Sequence, residues 1–157
     1  MALDMDFSKL QPHDVLDLAI FAEEEANEQY EHFATVMDTH GNRDIADFFR
    51  KMAGREQLHR EQLVERRDAL YAGAQPNLAN RAVWGVEVSN EVRSSGTVTA
   101  QEAFAIAMTS ERNAEAYYAA ALQHVTQPQV AQLFESLRLS EIEHQRMLHL
   151  EMAKRPS

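Results

Sequence analysis

The sequence contains no cysteine. Disulfides, thiolate metal ligands and cysteine redox chemistry are thereby excluded. Breakers are scarce as well: 5 Gly and 4 Pro among 157 residues. With strong helix formers dominating the remainder, this scarcity favours an all-helical chain. No apolar run approaches the roughly 20 residues of a membrane span. Residues 1–10 carry two Asp and no long apolar core, unlike a signal peptide, so a cytoplasmic location is the expectation. Lys/Arg-rich runs are also missing, and the net charge is −10. That balance argues against nucleic acid or an anionic membrane as a partner, while an acidic surface can attract cations such as Fe(II).

What is present is a core-forming chain, 45% hydrophobic and of a length suited to one domain, 1–157. Its apolar residues recur at helical spacing in four segments, about 12–39, 43–72, 100–125 and 128–153. The first stripe runs Leu16, Ile20, Glu23, Ala26/Asn27, Tyr30, Phe33/Ala34, Met37. The second runs Ile45, Phe48/Phe49, Met52, Glu56, His59, Leu63, Leu70, the third Phe104, Ala107, Glu111, Ala114, Tyr118, Ala121, Val125, and the fourth Val130, Leu133/Phe134, Leu137, Glu141, His144, Leu148, Met152. Pro12, the Asn42 N-cap position after Gly41, the Thr99/Glu102 capping-box spacing and Pro128 mark the starts. Two connections are short and make antiparallel neighbours. The third, about 73–98, is long enough to cross the bundle, and within it residues 84–88 are expected to form a short extra helix or an extended piece. The expected architecture is two antiparallel helical hairpins joined by a long crossover.

Every stripe is interrupted by polar residues at the same depth: Glu23, then Glu56 with His59, then Glu111, then Glu141 with His144. The interruptions repeat. Glu23, Ala26 and Tyr30 recur 88 positions later as Glu111, Ala114 and Tyr118; Phe49, Glu56, His59 and Leu63 recur 85 positions later as Phe134, Glu141, His144 and Leu148. Such a repeat implies a pseudo-twofold bundle with a shared polar centre. Residues three apart share a helix face, so each Glu-x-x-His set can point inward together. Four carboxylates in one core are prohibitively costly if ionised and unpaired. Two divalent cations cancel their charge, each taking one His, one Glu from the first or third helix, and shared bridging carboxylates. Oxygen-rich ligation with one imidazole per metal suits iron or manganese, and zinc also fits. Tyr30 and Tyr118 are read as groups that hydrogen-bond a ligand carboxylate, and Ala26 and Ala114 as small residues lining a cavity for an oxidant. The alternative, polar residues on solvated faces, predicts all four Glu to be exposed. His13, His32, His40, His124 and His149 fall off the stripes or near helix ends and are not read as ligands.

The strings FAEEEANEQY, REQLHREQL, SERNAEAYY and SEIEHQRML resemble the rubrerythrin-related branch of the ferritin-like superfamily over about residues 14–153. The resemblance implies a ferritin-like four-helix bundle with a non-haem di-iron centre on Glu23, Glu56, His59, Glu111, Glu141 and His144. It implies reaction with hydrogen peroxide or dioxygen. Rubrerythrins with an appended rubredoxin-like domain use a four-Cys iron site; without Cys, this chain needs an external electron donor. They also carry a further carboxylate three residues after the third-helix Glu, where this chain has Ala114, which implies a more symmetric site. The functional expectation is peroxide (or dioxygen) reduction, with a ferroxidase oxidising Fe(II) as the alternative and a non-redox zinc- or manganese-binding bundle as a further one. A homodimer is expected.

Overall fold

Among the described residues the fold is made of four long helices. The computed structural model describes residues 5–77 and 98–154. After a single 3-10 turn at Phe7–Lys9, α1 spans Pro12–Thr39, α2 Arg43–Tyr71, α3 Ala100–Leu122 and α4 Pro128–Ala153. Proline opens α1 and α4, where its fixed φ suits the first turn and its missing N–H is not needed. The Asp14 carboxylate accepts the Gln11 N–H at 2.9 Å, tying down the chain just before α1. At α3 the expected capping box forms: the Glu102 N–H donates to Thr99 Oγ1 at 3.1 Å and the Thr99 N–H to Glu102 Oε1 at 2.9 Å.

α1 stops at a glycine. The Asn42 N–H reaches back to the Met37 carbonyl at 2.8 Å and the Gly41 N–H to that of Asp38 at 3.0 Å. This pairing requires a left-handed residue, and Gly41 supplies it at φ 77°. Asn42, expected as a side-chain N-cap for α2, makes no capping bond; its amide lies 4.0 Å from the Met37 sulfur. α3 ends three residues earlier than its stripe suggests. The Ala121 carbonyl accepts from both His124 and Val125, closing the turn, and Pro128 disfavours helix in the residue before it. Val125 still packs on the core from outside the helix, so its place in the apolar pattern is kept although its helical conformation is not. Residues 84–88 lie outside the described residues.

Packing is most extensive between α1 and α2 and between α3 and α4, giving two helical hairpins. The core divides into two apolar clusters. One gathers Tyr30, Phe33, Met37, Phe49, Met52, Phe104, Ala107 and Leu148; the other gathers Phe7, Leu16, Ala19, Leu63, Tyr117, Tyr118, Phe134 and Leu137. The first joins the C-terminal half of α1 to the N-terminal halves of α2 and α3, and the second does the reverse. α1 therefore runs with α4, and α2 with α3. The chain leaves α2 at one end of the bundle and enters α3 at the other, as a crossover must. Phe33, Phe49 and Phe134 are fully buried, each contributing about 1.5–3 kcal/mol. Phe49 lies 5.5 Å from Phe33 and 5.1 Å from Phe104 between ring centroids. The two hydrophobic clusters fix the four helices on both sides of whatever lies between them. Among the described residues no helix is long and apolar enough to cross a membrane.

Candidate metal centre

Between the two apolar clusters, on every helix, stand the residues that interrupt the stripes. Glu23 follows Ala19 and Ala22 on α1, Glu56 and His59 lie between Met52 and Leu63 on α2, Glu111 lies between Ala107 and Tyr118 on α3, and Glu141 and His144 lie between Leu137 and Leu148 on α4. All six are buried: His59 is 7% exposed and the others 0–1%. The solvated-face reading predicted the opposite and is excluded.

The six side chains converge. His59 Nδ1 lies 3.4 Å from one oxygen each of Glu23, Glu56 and Glu141. His144 Nδ1 lies 2.7 Å from Glu111 Oε2 and 3.2 Å from Glu56 Oε1. The two imidazoles stack nearly parallel, 5.3 Å between centroids and 9° between planes. Two groups of four ligand atoms result, each with all its atoms within 4.8 Å of one another: Glu23, Glu56, His59 and Glu141 in one, Glu56, Glu111, Glu141 and His144 in the other. Glu56 and Glu141 belong to both.

Around this centre, Tyr118 donates its buried hydroxyl to Glu23 Oε1 at 2.9 Å. The bond runs from α3 to α1, across the bundle rather than along its own helix. Tyr30, its counterpart in the repeat, is equally buried, and its hydroxyl faces Glu111 without a hydrogen bond of ordinary geometry. Ala26 is buried on α1, and Ala114 is half-buried against the cluster of Tyr117 and Tyr118. Glu115, next to Ala114, accepts from Gln145 at 2.8 Å.

The electrostatics describe a site short of positive charge. Burial raises Glu23 to about 6, and the neighbouring Glu56 adds to the shift. Burial, with Glu56 and the other carboxylates, pushes Glu111 and Glu141 well above the ordinary range. Burial works in the same direction on Glu56, but the close approach of the His144 and His59 imidazoles outweighs it and holds Glu56 at about 2. Both imidazoles are raised, because their carboxylate partners outweigh desolvation. The raised carboxyls and imidazoles offset the clustered negative charge, which divalent cations would also offset. Even so, Glu23 Oε2, Glu56 Oε1, both Glu141 oxygens, His59 Nδ1 and His144 Nε2 are buried without a hydrogen bond. Such orphaned atoms are rare in folded proteins and cost about 1–3 kcal/mol each. Oxygen-rich donors with one imidazole per group suit two divalent cations of the iron or manganese type, and the residues present fit that pair.

A second grouping, His13, Asp14 and Asp17 at the start of α1, differs in kind. Both Asp17 oxygens are taken by the Arg67 guanidinium, at 2.8 and 3.1 Å. Arg67 also donates to the carbonyls of Tyr71, the last residue of α2, and of Ala74 just beyond it. His13 Nε2 meets the Gln75 carbonyl at 3.1 Å. This cluster fastens α2 to α1.

Two residues at the centre escape the sequence reading. Ser140 Oγ lies 2.9 Å from His59 Nε2; the only signal is that the repeat breaks there, with Arg55 in the equivalent place. Tyr117 buries its hydroxyl on the Val15 carbonyl at 2.6 Å, and nothing in periodicity separates it from its neighbour Tyr118.

Comparison with known proteins agrees with this architecture. The rubrerythrin family profile matches residues 14–152. A crystal structure of an uncharacterized conserved protein from Magnetospirillum magnetotacticum MS-1, at 2.00 Å, superposes with a TM-score of 0.74. It is 28% identical and the match covers 94% of this chain and 99% of that one. No curated protein matches. With the profile spanning nearly all of a four-helix bundle that buries four Glu and two His at its centre, the chain belongs to the rubrerythrin family of ferritin-like di-iron proteins.

Proposed function

We propose that this protein is a non-haem di-iron oxidoreductase that reduces hydrogen peroxide, or dioxygen, with electrons from an external donor. The observation that carries the reading is the pair of overlapping four-atom groups, sealed between two apolar clusters and sharing Glu56 and Glu141. Glu23, Glu56, His59 and Glu141 would hold one ion, and Glu56, Glu111, Glu141 and His144 the other. Two bound ferrous ions would supply the two electrons that, with two protons, convert one hydrogen peroxide into two waters. The chain's own contribution is enclosure and orientation. Burial of all six side chains excludes bulk water and strengthens each charge interaction. Tyr118 fixes the Glu23 carboxylate through its 2.9 Å hydrogen bond. Ala26 and Ala114, with methyl side chains, leave room beside the centre for an oxidant of two atoms. The enclosure favours ions that stay and are reduced in place over Fe(III) that leaves. With no cysteine in the chain, the electrons come from a separate protein or small reductant.

The test is anaerobic loading with Fe(II), followed by rapid mixing with peroxide or dioxygen in parallel, while the absorbance of oxidised iron is followed and retained iron is counted. Two irons oxidised per chain, faster by peroxide, retained and reducible for further turnovers, is the expected result. Faster reaction with dioxygen and loss of Fe(III) to solution would replace it with a ferroxidase. No stoichiometric reaction with either oxidant would leave a metal-binding bundle without redox function.

A further inference from the structure

The centre is built on a repeat, so the places where its halves differ carry information. Around His59 the surroundings are arranged. Its Nε2 meets Ser140 Oγ at 2.9 Å, its Nδ1 stands at an even 3.4 Å from three carboxylates, and one of these, Glu23, is held from behind by Tyr118. Around His144 they are not. Its Nε2 is buried with no partner among the described residues, and its Nδ1 is drawn onto Glu111 at 2.7 Å. The position equivalent to Ser140 in the first hairpin, 85 residues earlier, is the exposed Arg55. A guanidinium has no acceptor to offer an imidazole N–H.

This difference matters once an ion binds at Nδ1. The ring must then keep its one proton on Nε2. At His59 that N–H has a resident acceptor in Ser140. At His144 it would be a buried donor with no acceptor among the described residues, which disfavours the bound state. The His59 position also has its carboxylates apart, whereas the His144 position must first break the Glu111 contact.

We infer that Ser140 is a positioning residue that makes the two ion positions unequal, the His59 position being tighter and filling first. The inference rests on the two-ion reading above. Outer partners of ligating histidines are worth about tenfold to a hundredfold in metal affinity, so the two steps are separated by at least about tenfold.

The test is anaerobic titration of the metal-free protein with Co(II), followed by calorimetry and by visible absorption of the bound ion. The wild type is expected to take up two ions in resolved steps. In S140A the first step weakens about tenfold and approaches the second, while S140T, which keeps the oxygen, restores the separation. An NMR resonance for the His59 Nε2–H of the loaded protein is expected in the wild type and S140T and lost by exchange in S140A. Should S140A perturb folding, H144Q and H59Q decide: H144Q keeps the first step at wild-type affinity and H59Q loses it. Two steps of equal affinity, or steps unchanged in S140A, overturn the inference and leave the two-ion reading standing. No Co(II) uptake overturns both.

Discussion

Two clusters of carboxylates involve α1 of this protein, one partly and one fully buried, and they solve the same electrostatic problem in different ways. Near the N-terminus, Asp17 is answered by Arg67, a cation that the chain itself supplies and that also satisfies two carbonyls, one at the end of α2 and one just past it. Two turns further on, Glu23 joins three other glutamates and two histidines with no Lys or Arg among them. The first cluster pairs its Asp17 charge within the chain and serves the fold, leaving one buried oxygen, Asp14 Oδ1, without a hydrogen bond. The second retains orphaned donors and acceptors in the driest part of the molecule. What separates a structural charge cluster from a candidate metal centre here is therefore whether the chain contains its own counter-charge; both are acidic.

The largest effect that would break this contrast is metal loading. Saturating Fe(II) or Mn(II) under anaerobic conditions is expected to raise the melting temperature at neutral pH by about 8–16 °C, the equivalent of about 4 kcal/mol of linked binding. An E56A/E141A variant, lacking both shared carboxylates, should lose the whole increment. Scanning calorimetry that finds identical melting for the apo and loaded wild type would erase the distinction between the two clusters.

Next comes the self-sufficient cluster. R67A should cost about 3 kcal/mol in denaturant unfolding, since it strands Asp17 and two carbonyls, and added metal should not restore it. R67K should recover only part, because an ammonium cannot match the two-pronged contact to Asp17. An R67A loss below about 0.5 kcal/mol would place this pair among ordinary surface ion pairs.

A smaller effect is the pH response of the metal-free protein. Glu23 is raised to about 6 from an ordinary 4.5, so the folded state retains a proton that the unfolded chain releases between those values. Stability therefore falls as pH rises from 4.5 to 6, by about 2 kcal/mol for this group. Glu111 and Glu141, also raised, add in the same direction. Glu56 acts oppositely: held near about 2, it contributes stability that is present above 4.5 and lost as pH falls toward 2. Urea midpoints measured between pH 4.5 and 7 should rise on acidification in the apo protein and stay flatter with metal bound. A rise with pH in the apo protein would contradict the clustered-carboxylate account.

The smallest contrast is between the paired tyrosines. Y118F removes a hydrogen bond to Glu23 and should cost about 1–1.5 kcal/mol. Y30F removes a buried hydroxyl that faces Glu111 without a hydrogen bond of ordinary geometry and should cost less, about 0.5 kcal/mol. Equal costs in the two variants would mean that Tyr30 holds Glu111 as firmly as Tyr118 holds Glu23.

Much of this was readable in the chain. The stripes of α1 to α4 show which faces are buried, because a helix that buries Leu16, Tyr30 and Phe33 must also bury Glu23 between them. The same logic places Glu56, His59, Glu111, Glu141 and His144 at one depth. Pairings across the bundle were not readable. Arg67 is one of several arginines along α2, and spacing alone does not distinguish the one that turns inward to Asp17 from Arg55, Arg60 or Arg66. Tyr118 lies on the stripe with Glu111, yet its hydroxyl reaches Glu23, since a tyrosine is long enough to cross to the next helix. The α3 terminus was misplaced because Val125 obeys the apolar period after the helix has ended.

The sharing of Glu56 and Glu141 has a consequence for how the molecule holds together in time. The first hairpin provides three members of one ligand group and borrows Glu141; the second provides three of the other and borrows Glu56. Neither hairpin completes a group alone, so ion capture can only follow their docking. Any ion held there must be surrendered before they part. A bound pair of cations would thus turn two separable folding units into one, with amide exchange in α1–α2 and in α3–α4 slowing to a common rate set by opening of the whole bundle.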